Sequence, residues 1–254
     1  MRVTFLGTGT SCGLPVLGCD CLVCASDDPR NRRLRVSLLL EWNGANVVID
    51  TGPDFREQMI RARVKRLDAV LYTHTHVDHL FGLDDIRIYC FRMGRRIPVF
   101  GERSALDRIH HVFDYAFAAK TEGGGVPQLE MHEITVREPF SLLGRRVMPL
   151  RVWHGSTPVV AYRIGNFAHA TDCSDIPPAT MDQLTGLDVL VLDALRPRPH
   201  STHFSIAEAV AVAEKLQPKR TYFVHMTHDV DHETVNAQLP AGMELAYDGL
   251  VLDV

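Results

Sequence analysis

Apolar residues cluster along this chain in short runs, and the runs divide into two kinds. Arg2 to Leu6, Val36 to Glu41, Asn46 to Asp50, Ala69 to Tyr72 and Leu187 to Leu192 are near-continuous and read as strands. Asn43-Gly44 and Gly165-Asn166 are hairpin turns, the second joining Val159–Ile164 to Phe167–Ala170. Ile97 to Phe100 is a short strand whose Pro98 puts it at an edge or at a strand start. Other stretches are amphipathic at helical period. Phe55 to Ala62 is one, with Asp54 and Glu57 in the manner of a capping box. Asp84 to Phe91, Ser104 to Phe117 and Asp231 to Leu239 are further helices. Ser205-Ile206-Ala207-Glu208 opens another over 206–216, with Ile206, Ala209, Val210 and Ala213 on one face. Leu129 to Val136, Phe140 to Leu143 and Arg146 to Val152 predict strands of a second sheet. Arg220 to Val224 and Glu244 to Val254 predict its completion. Strands, helices, strands, helices imply two similar halves, each a sheet backed by helices.

Composition narrows the picture. The 254 residues are 46% hydrophobic, enough for a real core, and are read as one domain over 1–254. A net charge of −4, from 27 basic and 31 acidic residues, gives no global field for nucleic acid. The N-terminus lacks a signal-peptide pattern and no run approaches the ~18 apolar residues of a membrane span. The expectation is a cytoplasmic protein with no membrane partner and no extensive nucleic-acid surface. Its six cysteines are then thiols or metal ligands. A homodimer is compatible with the sequence but is not specified by it.

The candidate chemistry begins at Thr73-His74-Thr75-His76-Val77-Asp78-His79, directly after a buried strand. Imidazole and carboxylate suit zinc, manganese or iron. Four donors in so tight a turn serve two adjacent metals better than one: His74 and His76 on the first, Asp78 and His79 on the second. Cys19, Cys21 and Cys24, spaced C-x-C-x-x-C, can close three corners of a zinc site, with a fourth ligand from elsewhere. Cys12 stands outside that spacing and reads as a buried small residue. Gly7-Thr8-Gly9-Thr10-Ser11 lacks the lysine of a P-loop and reads as a tight turn. Lys120 to Pro127, with its triple glycine, is a lid carrying Lys120 or a plain connector. His110 and His111 are surface residues, and His169 a packed or surface one.

The H-x-H-x-D-H run resembles the metallo-β-lactamase superfamily. Within it, the chain is similar to the branch of phosphoribosyl cyclic phosphodiesterases. The resemblance implies a four-layer αββα sandwich with two divalent ions, zinc or manganese. It implies His154 as the third ligand beside His74 and His76, His225 beside Asp78 and His79, and Asp172 as the bridge. His228 would complete a structural zinc with the three cysteines, and Asp50 would orient a ligand from behind. His203, before the 206–216 helix, would face the substrate and help proton transfer, so that Asp78 and His203 are the catalytic pair. The implied activity is hydrolysis of a small phosphorylated substrate, a cyclic phosphate or nucleotide-like diester, by a dinuclear metal-bound hydroxide. Thioester, lactone or lactam hydrolysis and a non-catalytic metal-binding role are the alternatives.

Overall fold

A computed structural model describes residues 1–118 and 125–254. Lys120 to Gly124, the greater part of the segment read as a lid or connector, lie outside the described residues. The early strands are β1 (Arg2–Gly7), β2 (Ser37–Trp42), β3 (Ala45–Ile49), β4 (Ala69–Leu71), β5 (Ile97–Gly101) and β6 (Leu129–Glu133). Then come β7 (Phe140–Leu142), β8 (Arg145–His154), β9 (Thr157–Ile164), β10 (Phe167–Ala170), β11 (Val189–Asp193) and β12 (Arg220–Val224). The last are β13 (Met243–Leu245) and β14 (Val251–Asp253). They form two seven-stranded sheets, ordered β14-β1-β2-β3-β4-β5-β6 and β13-β12-β11-β10-β9-β8-β7. The first is backed by α1 (Phe55–Arg61), α2 (Val77–Leu80), α3 (Arg87–Met93) and α4 (Arg103–Val112). The second carries α5 (Pro178–Gln183), α6 (Ile206–Leu216) and α7 (His232–Asn236). This is the expected αββα sandwich.

The continuous apolar runs have a direct cause: these strands are covered on both faces. Leu38, Leu40, Val47, Ile49, Val189 and Val191 fill the space between the sheets. Their neighbours Leu39 and Val48 pack outward with Phe55, Leu83 and Leu106 of the helical layer. Leu190 and Leu192 pack outward with Ala209 and Leu216 of α6. Period-two alternation is present in space but invisible in a sequence where both faces need apolar side chains.

Strand direction is what builds a site. β3, β4, β5 and β6 are parallel, as are β10, β11, β12 and β13. β8 is antiparallel to β9, which is antiparallel to β10, so β8 runs with β10. The C-terminal ends of β3, β4, β8, β10, β11 and β12 carry the chain into Asp50, His74, His154, Asp172, Asp193 and His225. Loops beyond the carboxyl ends of parallel strands are where α/β folds place ligands.

Several expectations are corrected. β6 pairs with β5 and edges the first sheet rather than joining the second. The C-terminal stretch splits, β13 closing the second sheet and β14 the first. Pro98 sits near the start of β5, an internal strand, so the strand-start option holds. Asp54 makes no cap bond; its carboxylate instead takes the Arg35 guanidinium at 3.0 Å. The Ser205–Glu208 capping box is formed as expected. Cys12 is exposed, not buried, while His110 and His111 are exposed and His169 is buried, as read. The Gly7–Ser11 turn is closed by the chain's own backbone. Gly9 donates to the Leu34 carbonyl, and Met226 exchanges hydrogen bonds with Thr8 and Thr10.

That turn also buries a carboxyl group. Asp248 accepts from Thr8 Oγ1 at 2.9 Å and from the Leu34 amide at 2.8 Å, and its side chain is 2% exposed. Burial raises its pKa to about 6, partly offset by those donors and Arg61. A carboxyl raised in the folded state adds stability below its unfolded value of 3.8 and loses it as pH climbs to about 6. Across that window the loss is of order 3 kcal/mol. Urea titrations of the wild type and Asp248→Asn should diverge between those pH values; parallel curves would show that the group does not titrate there.

Candidate metal centre

β4 ends at Leu71, and the chain turns through Thr73 into the short helix α2, whose start presents Asp78 and His79. This crossing requires a close approach. A Cβ on Gly52 would lie 2.0 Å from the Asp78 carbonyl oxygen, so only glycine lets the Asp50–Gly52 turn pack beneath α2. Asp50, Asp172 and His225 are all non-glycine residues with positive φ, at 62°, 51° and 65°. Left-handed backbone in such residues costs energy and gathers at functional sites. Here it turns three side chains at strand ends toward one point.

The seven side chains expected as ligands do meet. Candidate donor atoms of Asp78, His79, Asp172 and His225 lie within 4.8 Å of one another. Those of His74, His76 and Asp172 form a second such group, and His154, Asp172 and His203 a third. His79 Nε2 stands 3.1 Å from Asp172 Oδ1 and 3.4 Å from Asp78 Oδ2. His225 Nε2 stands 3.3 Å from Asp172 Oδ2 and 3.5 Å from Asp78 Oδ2. On the other side His74 Nε2 is 3.0 Å from His76 Nδ1, and the His76 and His154 rings are 5.1 Å apart. His76 is exposed and the other six are wholly or partly buried, so the cluster opens at His76.

Charge and hydrogen bonding suit cations. Burial pushes Asp172 and Asp78 up, but the facing imidazoles of His225 and His79 outweigh it and hold both carboxyls well below the usual range. Burial pulls His79 down, yet Asp172, Asp78 and Asp50 leave it well above its ordinary value. Burial, reinforced by His79, takes His74 well below its own. Among the described residues, the buried Nε2 atoms of His79 and His225 make no hydrogen bond. Buried polar atoms are almost always satisfied. Donor atoms spaced about 3 Å apart with converging lone pairs are what a first-row divalent ion needs at bonds of about 2 Å. The residues therefore fit a pair of such ions.

Support from behind is explicit. Asp50 Oδ2 takes His79 Nδ1 at 2.7 Å, and Asp50 also accepts from the Thr73 amide and hydroxyl. That fixes the tautomer that leaves Nε2 of His79 for the cluster. The Thr202 carbonyl does the same for His154 Nδ1 at 2.7 Å. Asp193 is the residue sequence reasoning missed. Its Oδ2 lies 3.1 Å from His203 Nδ1, and its Oδ1 lies 3.6 Å from His225 Nδ1. The signal was present: an acid ending a wholly apolar run, as Asp50 does. His203 is buried, with its ring centroid 4.3 Å from that of His154 and 4.7 Å from that of His225.

A second cluster forms where the N-terminal loop meets the loop after β12. Cys19, Cys21 and Cys24 Sγ lie 3.2, 3.6 and 3.6 Å from His228 Nδ1. Tetrahedral zinc with ordinary Zn–S and Zn–N bonds separates such atoms by about 3.6 Å. The Cys24 amide hydrogen bond, partly countered by burial, lowers Cys21 to about 7, toward the thiolate that binds metal. Buried Arg33 reinforces the junction, donating to the Thr227 and Val230 carbonyls. Cys24→Ser should cut zinc content by one ion per chain and lower the melting temperature by roughly 10 °C. Unchanged zinc content would remove this site.

The family model described as a beta-lactamase superfamily domain matches residues 45–226, and this chain belongs to that superfamily. A solved structure of a new diphosphatase from the PhnP family superposes with a TM-score of 0.93. It shares 47% identity, covering 99% of this chain and 97% of that one. Zn(2+)-bound PqqB from Methylobacterium extorquens shares the fold, with a TM-score of 0.81 at 20% identity over 100% of both chains. The octanoyltransferase of Porphyromonas gingivalis is 37% identical over 253 residues, 98% of this chain but 51% of that protein. A ribonuclease Z of Kineococcus radiotolerans is 27% identical over 145 residues, 55% of this chain and 45% of that one. The chain thus spans about half the length of these curated relatives. Among the described residues, no helix is long and apolar enough to cross a membrane.

Proposed function

We propose that this chain is a metal-dependent hydrolase acting at phosphorus, on a small cyclic phosphate or nucleotide-like diester. The observation that carries the reading is His203: a buried imidazole outside the seven-ligand set, held against the cluster by Asp193. An imidazole so held can protonate a leaving oxygen, which a phosphodiester with a poor leaving group needs. Support also comes from the 47% identical structure, which is that of a diphosphatase. A phosphoanhydride is therefore the second reading, and it shares the same reacting atom.

His74, His76 and His154 would hold one ion, Asp78, His79 and His225 the other, and Asp172, common to three donor groups, would touch both. Divalent ions in such a pair supply a water nucleophile at neutral pH and positive charge against the phosphoryl oxygens. The chain's own contribution is position and proton transfer. Asp50 and Thr202 hold His79 and His154 in the tautomers that face inward. Asp193 takes Nδ1–H of His203, so that in the imidazolium form Nε2 carries a proton and the carboxylate balances the charge. That proton passes to the leaving oxygen as the P–O bond breaks. Asp193 also faces His225, so one carboxylate addresses both the proton donor and a ligand.

The test is a panel on the metal-loaded protein: bis(p-nitrophenyl) phosphate, a cyclic sugar phosphate, a nucleoside diphosphate, a lactone and nitrocefin. Turnover of the phosphorus compounds is expected. Lactone or lactam turnover without it would reverse the reading, and full metal loading with no turnover at all would favour a non-catalytic role.

A further inference from the structure

In the two-ion reading, each ion draws ligands from both sheets. His74, His76, Asp78 and His79 follow β4 of the first sheet, whereas His154, Asp172 and His225 stand at the ends of β8, β10 and β12 of the second. The donor atoms meet only while the two sheets keep one position relative to each other. The core between the sheets is apolar, with Leu38, Ile49, Leu71, Val160 and Val191 among its side chains. Apolar burial holds the sheets together but is non-directional. Hydrogen bonds have defined lengths and angles, so a bond across the core near the cluster fixes position there.

Two such bonds sit at the foot of the metal loop. Tyr162 of β9 donates its phenolic proton to the Tyr72 carbonyl at 2.7 Å, and the Val160 amide donates to the Thr73 carbonyl at 3.0 Å. β10 pairs with Tyr162, Arg163 and Ile164 of β9, and short of that register the Val160 amide turns to Thr73 instead. β4 ends at Leu71, and among the described residues no backbone amide reaches the Tyr72 carbonyl, so the phenol is its partner. Tyr162 and Tyr72 are both fully buried, where a carbonyl left without a donor is costly. From these two carbonyls the bonding leads on to the ligands. Thr73 gives its amide and hydroxyl to Asp50 at 2.8 and 2.7 Å, and its hydroxyl oxygen lies 3.0 Å from His74 Nδ1. Asp50 in turn holds His79. The Tyr72 phenol meets Thr51 Oγ1 at 2.6 Å, and the Thr51 amide donates to the His79 carbonyl. One connected unit of Asp50, Thr51, Tyr72, Thr73, His74 and His79 thus hangs from β9.

We propose that Tyr162 is a positioning residue for the metal pair: its phenol fixes where the His74–His79 loop stands relative to His154, Asp172 and His225. The inference rests on the two-ion reading above. A matched control exists at the far end of the sandwich. Trp42, the last residue of β2, donates Nε1–H at 3.1 Å to the carbonyl of Leu143, which precedes β8, whereas His154 ends that strand. This bond joins the same two sheets away from the cluster.

Tyr162→Phe and Trp42→Phe each delete one cross-sheet donor and keep an aromatic ring. Calorimetric titration with manganese should show Tyr162→Phe binding roughly 10- to 100-fold more weakly, the usual cost of losing a support behind the ligands. The spin coupling of the two-manganese form, read by electron paramagnetic resonance, should change, because it reports how the two ions stand to each other. On a phosphodiester, kcat should fall with KM nearly unchanged. Trp42→Phe should melt lower, as Tyr162→Phe does, yet keep wild-type affinity, coupling and kcat. In the wild type itself, amide exchange over Val159 to Tyr162 should slow on manganese loading while exchange around Leu143 stays constant. Wild-type affinity and coupling in Tyr162→Phe overturn the proposal. So does an equal loss in Trp42→Phe, which assigns the effect to stability alone, and so does exchange at Val160 that is indifferent to metal. A wild type that binds two ions but turns over no phosphorus compound removes the functional reading, while affinity, coupling and exchange still decide the role of Tyr162.

Discussion

Asp172→Ala is expected to strip both ions from the His/Asp cluster and to lower hydrolysis by roughly 10³-fold or more, about 4 kcal/mol of transition-state stabilisation. The magnitude follows from position. Asp172 belongs to three of the donor groups, whereas His76 belongs to one and is exposed. Its two oxygens face different imidazoles, Oδ1 toward His79 and Oδ2 toward His225 and His74. Removing it also removes the anion opposite three buried rings, so those rings repel a cation more strongly than before. His76→Ala, by contrast, should lose the ion on its own side and most activity while keeping the fold. Elemental analysis of both variants beside their rates tests the ranking. An Asp172→Ala protein that keeps two ions per cluster would show that the carboxylate does not bridge.

The second large effect concerns the proton. His203→Ala should keep its metals and lose about 10² to 10⁴-fold in kcat on a substrate with a poor leaving group, the range for one general acid. With p-nitrophenolate, which leaves without protonation, the loss should shrink to within about tenfold. Asp193→Asn should fall between the wild type and His203→Ala, because the imidazole remains but its charge is no longer balanced. A purely structural His203 would lower both substrates equally. That outcome, or loss of metal from His203→Ala, would remove it from proton transfer.

Much of this was legible in the chain. His74, His76, Asp78 and His79 are adjacent in sequence, so their convergence needs only a local turn after β4. The three cysteines are local in the same sense. Boundaries are less legible where two signals compete. Asp54 has the spacing of a helix cap, yet Arg35, nineteen positions earlier, captures its carboxylate. The stretch after Gln128 alternates like its successors, but β6 pairs with parallel β5 and leaves the hairpin strands to the other sheet. Alternation reports that a strand is half-buried; it does not report which sheet buries it.

By itself, then, the sequence determined the elements, the ligand types and the local half of each metal cluster. These depend on side chains a few residues apart and on backbone preferences that act at that range. Only the tertiary structure decided that His154, Asp172 and His225 share a point with them, and that Asp193 stands behind both His203 and His225. Those meetings are set by parallel strands ending at one edge of two packed sheets, and no short-range interaction encodes them.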